Sequence, residues 1–164
     1  MKLLLCSFTL LFLFFSPPVK AQVLTLDQLF WLRSRSEGDN SEWLTIEHKW
    51  HFGKSATLAD SLYYSTSWFF QDAYKKRLAE LVYESRGSSN VTTISYSTLN
   101  TLAFNAIKAR LAAYQMKYIG QKNVKGVVRS YYRDGDFDVI LSVSSNPKVA
   151  SVAWHTVVVR PRWH

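Results

Sequence analysis

The chain has 164 residues, with 20 Lys and Arg against 12 Asp and Glu, so its formal net charge is +8. Its 15 % aromatic content does not describe a disordered chain, which needs few aromatics and a high net charge. The one cysteine, Cys6, falls in an N-terminal leader, so the remainder holds no disulfide scaffold, zinc ribbon or thiol nucleophile, and it is long enough to bury a core without staples.

Lys2 is a short positive start, and Leu3 to Phe15 form a 13-residue, mainly apolar run. Ser16-Pro17-Pro18 break it, and Val19-Lys20-Ala21 puts small residues where a signal peptidase reads, so cleavage is expected between Ala21 and Gln22. The competing reading is a membrane anchor, but a spanning helix needs roughly 20 apolar residues. Cys6 lies inside the run rather than at its end, which argues against a lipid-anchored terminus. No later stretch is apolar enough for a transmembrane segment. The expectation is a soluble exported protein, periplasmic or extracellular.

Past the leader, Thr25, Leu26, Leu29, Phe30 and Leu32 have roughly helical spacing, with Thr25 and Gln28 placed as a capping box. Gly38-Asp39 interrupts the pattern, and Asp39 with Glu42 caps a second short helix through Trp43, Leu44 and Ile46. From Lys49 the period becomes two, predicting strands at 49–53, 61–70, 77–85 and 90–97, the last pair joined by Arg86-Gly87-Ser88-Ser89. Leu99, Leu102, Ala103, Ala106, Ile107, Arg110, Leu111 and Tyr114 then make one helical stripe, with Ser97 or Thr98 as its cap. Leu102, Ile107 and Leu111 are expected to bury against Val128, Val139 and Leu141. Four more strands are predicted at 115–120, 124–133, 136–144 and 150–160. Asp134-Gly135 reads as a two-residue hairpin turn that sets Arg133 opposite Asp136, Tyr132 opposite Phe137 and Tyr131 opposite Asp138. Asn146-Pro147 marks the next turn.

In element order, residues 22–97 and 98–164 look alike: helix, then four strands. The fold class expected is α+β, two similar helix-plus-four-strand antiparallel units with helices on one face of the sheet. A single continuous α+β domain without a repeat is the alternative, because residue identity between the halves is poor. This exported tandem resembles the β-lactamase-inhibitor protein fold, and also many small exported bacterial proteins of unassigned function. The resemblance implies helices over one sheet face and a protein partner gripped by the other. That family relies on disulfides, which have no counterpart after Cys6, and no inhibitor motif is carried over residue by residue.

Motifs for chemistry are weak. His48-Lys49-Trp50-His51 has H-x-x-H spacing but falls at a helix-to-strand transition, so no metal site is expected. Asp134-Gly135-Asp136-Phe137-Asp138 resembles the start of a calcium loop, but Val139 and Ser145 stand where an EF-hand needs glycine and glutamate. Asn90-Val91-Thr92 fits a glycosylation pattern that matters only in a eukaryotic host. His155 and His164 have no evident nucleophile beside them, and no serine sits in G-x-S-x-G. No catalytic residue and no cofactor are assigned, and the chain is not expected to be an enzyme, though an unrecognised small hydrolase stays open.

Charge is more informative. Residues 22–97 hold 8 Lys and Arg against 9 Asp and Glu, while residues 98–164 hold 10 against 3. Within strand 124–133, Lys125, Arg129, Tyr131 and Arg133 share one face with Val127, and the opposite face is mainly apolar. A merely solvated strand face explains the charges alone, but tyrosine with arginine is what interface centres favour. Lys125, Arg129, Tyr131 and Arg133, with Trp68 and Trp154, are therefore the predicted contact residues of a binding or inhibitory module, immunity-type or enzyme-inhibitor-like. Its expected partner is an acidic protein or, alternatively, an anionic envelope polymer such as a phosphorylated glycan; export argues against nucleic acid.

Overall fold

A computed structural model describes residues 23–57, 63–86, 91–144 and 153–162. The leader, the 87–89 turn, the Asn90 sequon residue, the Asn146-Pro147 turn and His164 lie outside the described residues.

Thr25 caps helix α1 (Leu26–Arg33) through the expected box: the Gln28 N–H donates to Thr25 Oγ1 at 3.2 Å and the Thr25 N–H to Gln28 Oε1 at 2.9 Å. Helix α2 (Glu37–Glu42) begins one turn earlier than expected, because Ser36 is its cap and accepts from the Asp39 N–H. It runs into a π-helical turn, Trp43–Glu47, closed by the His48 N–H on Trp43 O at 3.2 Å. Lys49, at φ 59°, then turns the chain into the sheet.

Helix α3 (Thr101–Arg110) is shorter than its stripe predicts and rotated about its axis. Asn100, not Ser97 or Thr98, caps it by accepting from the Ala103 N–H at 3.0 Å, while Thr98 Oγ1 accepts from the Asn100 N–H. Ala103, Phe104, Ile107 and Leu111 are buried, whereas Leu102 is 81 % exposed and does not join the core. Phe104, which the stripe omits, takes that place and stacks on His155 with ring centroids 4.9 Å apart.

Eight strands form where eight were expected, with β1 and β5 running several residues beyond their predicted ends: β1 (His51–Thr57), β2 (Tyr63–Gln71), β3 (Arg77–Arg86), β4 (Val91–Thr98), β5 (Lys117–Val124), β6 (Val127–Arg133), β7 (Phe137–Ser144) and β8 (His155–Pro161). They form one antiparallel sheet in the order β1-β2-β3-β4-β8-β7-β6-β5. Two meanders thus meet at their last strands, where β4 pairs with β8. The fold is α+β, an eight-stranded antiparallel sheet with three short helices. Leu26, Leu29, Leu32, Ile107 and Leu111 from the helices share one core with Leu81, Ile94, Tyr96, Val139, Leu141, Val157 and Val159 from the strands.

Two hairpins correct the predicted registers. The strand predicted at 124–133 begins only at Val127, and Val124 is the last residue of β5. Val124 pairs with Val127 across Lys125 and Gly126, whose φ values of 51° and 78° are those of a type I′ turn. At Asp134 the centre of the turn moves one residue along. Arg133 faces Asp138, Tyr132 faces Val139 and Tyr131 faces Ile140. The Asp134 carboxylate causes this shift by accepting from the Asp136 and Phe137 N–H groups, each at 2.7 Å. The register changes by two, so the faces survive.

Candidate functional site

Along β6, Val128, Ser130 and Tyr132 oppose Val143, Leu141 and Val139, while Arg129, Tyr131 and Arg133 oppose Ser142, Ile140 and Asp138. Val139 and Leu141 are core residues, so the arginines and Tyr131 take the other side of the sheet, as the alternation predicted. On the next strand, Lys122 faces Arg129, Gly120 faces Tyr131 and Lys117 faces Arg133. These cations make a basic surface around one tyrosine.

Asp138 anchors it. Only 6 % exposed, its carboxylate accepts from Arg133 Nε at 2.6 Å and Nη2 at 3.3 Å, and from Arg160 Nη2 at 3.3 Å. The hydrogen bonds and charge of Arg133, then those of Arg160, hold its carboxyl below the ordinary range despite burial, and Asp138 in turn raises Arg133. Two guanidiniums are thus fixed by one carboxylate, with further N–H donors remaining on each.

The same residues line a concavity of about 400 Å³, together with Ile119, Gly120, Gln121, Lys122 and Tyr131. A bulge in β5 between Tyr118 and Gly120 shapes its wall. Gly120, at φ 147°, is a conformation that side-chain-bearing residues rarely adopt, and it leaves open space beside Tyr131. Lys122, Arg133 and Arg160 outnumber Asp138 in the lining, so the recess carries a net positive charge. It suits a carboxylate or phosphate group, which arginine meets bidentately.

Three predicted contact residues do not belong here. Trp68 is 0 % exposed; it lies in the core, with its indole N–H directed to Ser41 Oγ at 3.4 Å. The strand is apolar on both faces, so alternation alone did not place it. Lys125 sits at the hairpin tip rather than on the strand face, because the β5–β6 turn needs its positive φ. Trp154, 38 % exposed, precedes β8 at the end opposite Arg160, roughly 20 Å away along the strand. Conversely, Asp138, Arg160, Lys122 and Gly120 were missed as site residues. Arg160 shares a face with Asp138 only once β7 pairs with β8, a register hidden behind a long connection.

The histidines have separate settings. His48 lies tilted against Trp43 with ring centroids 3.8 Å apart, while His51 stacks on Phe69 at 5.4 Å and contacts Gln71 Nε2 at 3.2 Å. His155 Nε2 meets Thr101 Oγ1 at 3.1 Å, Nδ1 is buried without a partner, and burial lowers its pKa. Among the described residues no group of three His, Cys, Asp or Glu side chains is placed to hold a metal, and no helix is long and apolar enough to cross a membrane.

No family model, curated protein or solved structure matches the chain.

Proposed function

We propose that the chain is an exported, non-catalytic binding or inhibitory module whose β5–β6–β7–β8 surface docks an acidic protein partner. The observation that carries this reading is the arginine pair on Asp138 beside Tyr131. Arginine and tyrosine are the residues interface centres favour, and guanidiniums already fixed in place lose less entropy when they bind. In this reading residues 22–97 and 98–164 are two related units, the helices cover one side of the sheet, and the basic side is left for the partner. The two meanders in the strand order support that division.

The test begins with retrieval of a partner from envelope extract, followed by affinity measurements on a Lys122→Ala/Arg129→Ala/Tyr131→Ala variant. Arg133 is kept, because its loss would leave the buried Asp138 carboxylate with Arg160 alone. The expected weakening is about 2 kcal/mol or more, roughly thirtyfold. Unchanged affinity would place the contact elsewhere. A steep linear fall of log affinity with log salt would instead assign the surface to an anionic envelope polymer. Export has its own test: mass spectrometry of envelope material is expected to find a chain beginning at Gln22, and an intact Met1 or a lipidated Cys6 would overturn it.

A further inference from the structure

A second recess, of about 500 Å³, lies between the α1–α2 corner and the ends of β2, β3 and β4. Its volume is within the range of small-molecule sites. Its strand residues alternate with those of the opposite side, so it does not share a surface with Arg129 or Tyr131. Tyr64 pairs with Ser85 and Ser85 with Thr92, which sets three hydroxyl side chains in one line across neighbouring strands. Tyr83 stands one row further in, opposite Thr66. Elsewhere this side of the sheet is mostly apolar. A hydroxyl row here is a change of chemistry.

Arg33, at the end of α1, lines the recess. Its guanidinium lies 4.5 Å over the Phe137 ring, and its Nε is buried with no acceptor. Among the described residues it forms no ion pair with a carboxylate. Burial lowers its pKa from the ordinary arginine value. Arg33 is half-buried and lines the recess together with Tyr64, Tyr83, Ser85 and Thr92, and its Nε has no acceptor.

The lining also limits the charge of an occupant. Arg33 and Arg35 bring two positive charges to the recess and Glu37 one negative. A monoanion balances that sum, while a phosphate dianion would meet Glu37 with its second charge. Burial pushes the Tyr64 hydroxyl up to about 12, and so does its hydrogen bond to Glu37, so it stays protonated and holds the Glu37 carboxylate at the edge of the recess. The Tyr64 and Tyr83 rings, edge to face with centroids 6.1 Å apart, add apolar surface beside the hydroxyls.

We infer that this recess binds a singly charged acidic sugar, with its carboxylate on Arg33 and its ring hydroxyls on Tyr64, Tyr83 and Ser85. The planar carboxylate matches the guanidinium fork, and the hydroxyl row both donates and accepts. The site is independent of the basic surface around Tyr131, so either can fail without the other.

The test is calorimetric titration of the purified chain with glucuronate, glucose and inorganic phosphate. Glucuronate is expected to bind at least about tenfold more tightly than either of the others, since a site built to pair a charge rejects the analogue lacking it. Arg33→Gln should lose at least about tenfold in glucuronate affinity, Tyr64→Phe a smaller part, and Lys122→Ala/Arg129→Ala nothing. If Arg33→Gln does not fold, Arg33→Lys keeps the charge and stem but not the fork, and the same loss is expected of it. Glucuronate binding no tighter than glucose or phosphate would overturn the inference. So would full affinity in the Arg33 variant that folds, or a loss produced by the Lys122→Ala/Arg129→Ala change.

Discussion

Ile107 and Leu102 stand on the same short helix and face different solvents. Ile107 is 1 % exposed and Leu102 81 %. Ile107→Ala is expected to cost roughly 2–5 kcal/mol, and Leu102→Ala to fall within about 0.5 kcal/mol of the parent. Denaturant midpoints of the two variants check this; a similar loss from both would put the helix back on its predicted stripe. Two titrating groups give stability a pH profile. Burial lowers the pKa of His155 from 6.5, so its contribution is present above that value and is lost as pH falls through it, where the unfolded chain takes up the proton more readily. Asp138 has a carboxyl lowered from 3.8 by Arg133 and Arg160, so its contribution persists further and is lost only as pH falls below that value. Unfolding midpoints between about pH 8 and 3 should therefore decline in two stages. His155→Gln should remove the upper stage, and a decline unchanged by that substitution would refute the assignment.

At the scale of elements, what the sequence made legible depends on how local the cause is. The Thr25–Gln28 box spans three residues, and it forms as read. All eight strands were visible because strand-forming residues and the breaks between them are local signals, although the ends of β1 and β5 were misplaced. The α3 start was misplaced because Asn100, Thr98 and Ser97 are all competent caps, and the choice falls to the side chain whose helix buries Phe104 against His155. The β5–β6 turn was invisible because Lys-Gly is a weak turn signal beside Asp-Gly, although it is Lys125 and Gly126 that adopt positive φ. An ordinary residue in that region costs roughly 1–2 kcal/mol, and asparagine tolerates it better. Lys125→Asn is thus expected to raise stability by a fraction of that amount, measured as a higher midpoint. No gain would mean that the Lys125 side chain contributes something the turn geometry does not show.

Across the whole molecule, the charge asymmetry was legible and the pairing of the halves was not. Ten basic residues against three acidic in residues 98–164 pointed to the β5–β6 surface before any register was known. That Arg160 joins Arg133 on Asp138 depends on strand order, which the letters of β7 and β8 do not encode. The same limit applies to Trp68. Both faces of its strand are apolar, so only the helices packed above decide which side is core.

The β4–β8 seam carries a kinetic consequence. The three ladders of each meander join neighbouring strands, but Thr98 pairs with His155 across the whole second meander. Bringing such distant segments together incurs loop-closure entropy before any contact compensates it, so the seam should form after both meanders. Val157→Ala, in the seam opposite Tyr96, is accordingly expected to speed unfolding while leaving the refolding arm of a stopped-flow chevron nearly unchanged. A proportionate slowing of refolding would show that the seam nucleates the fold. If the meanders do form first, two molecules refolding at high concentration can trade halves, each β4 accepting the other's β8, and a swapped dimer should accumulate as the protein concentration rises.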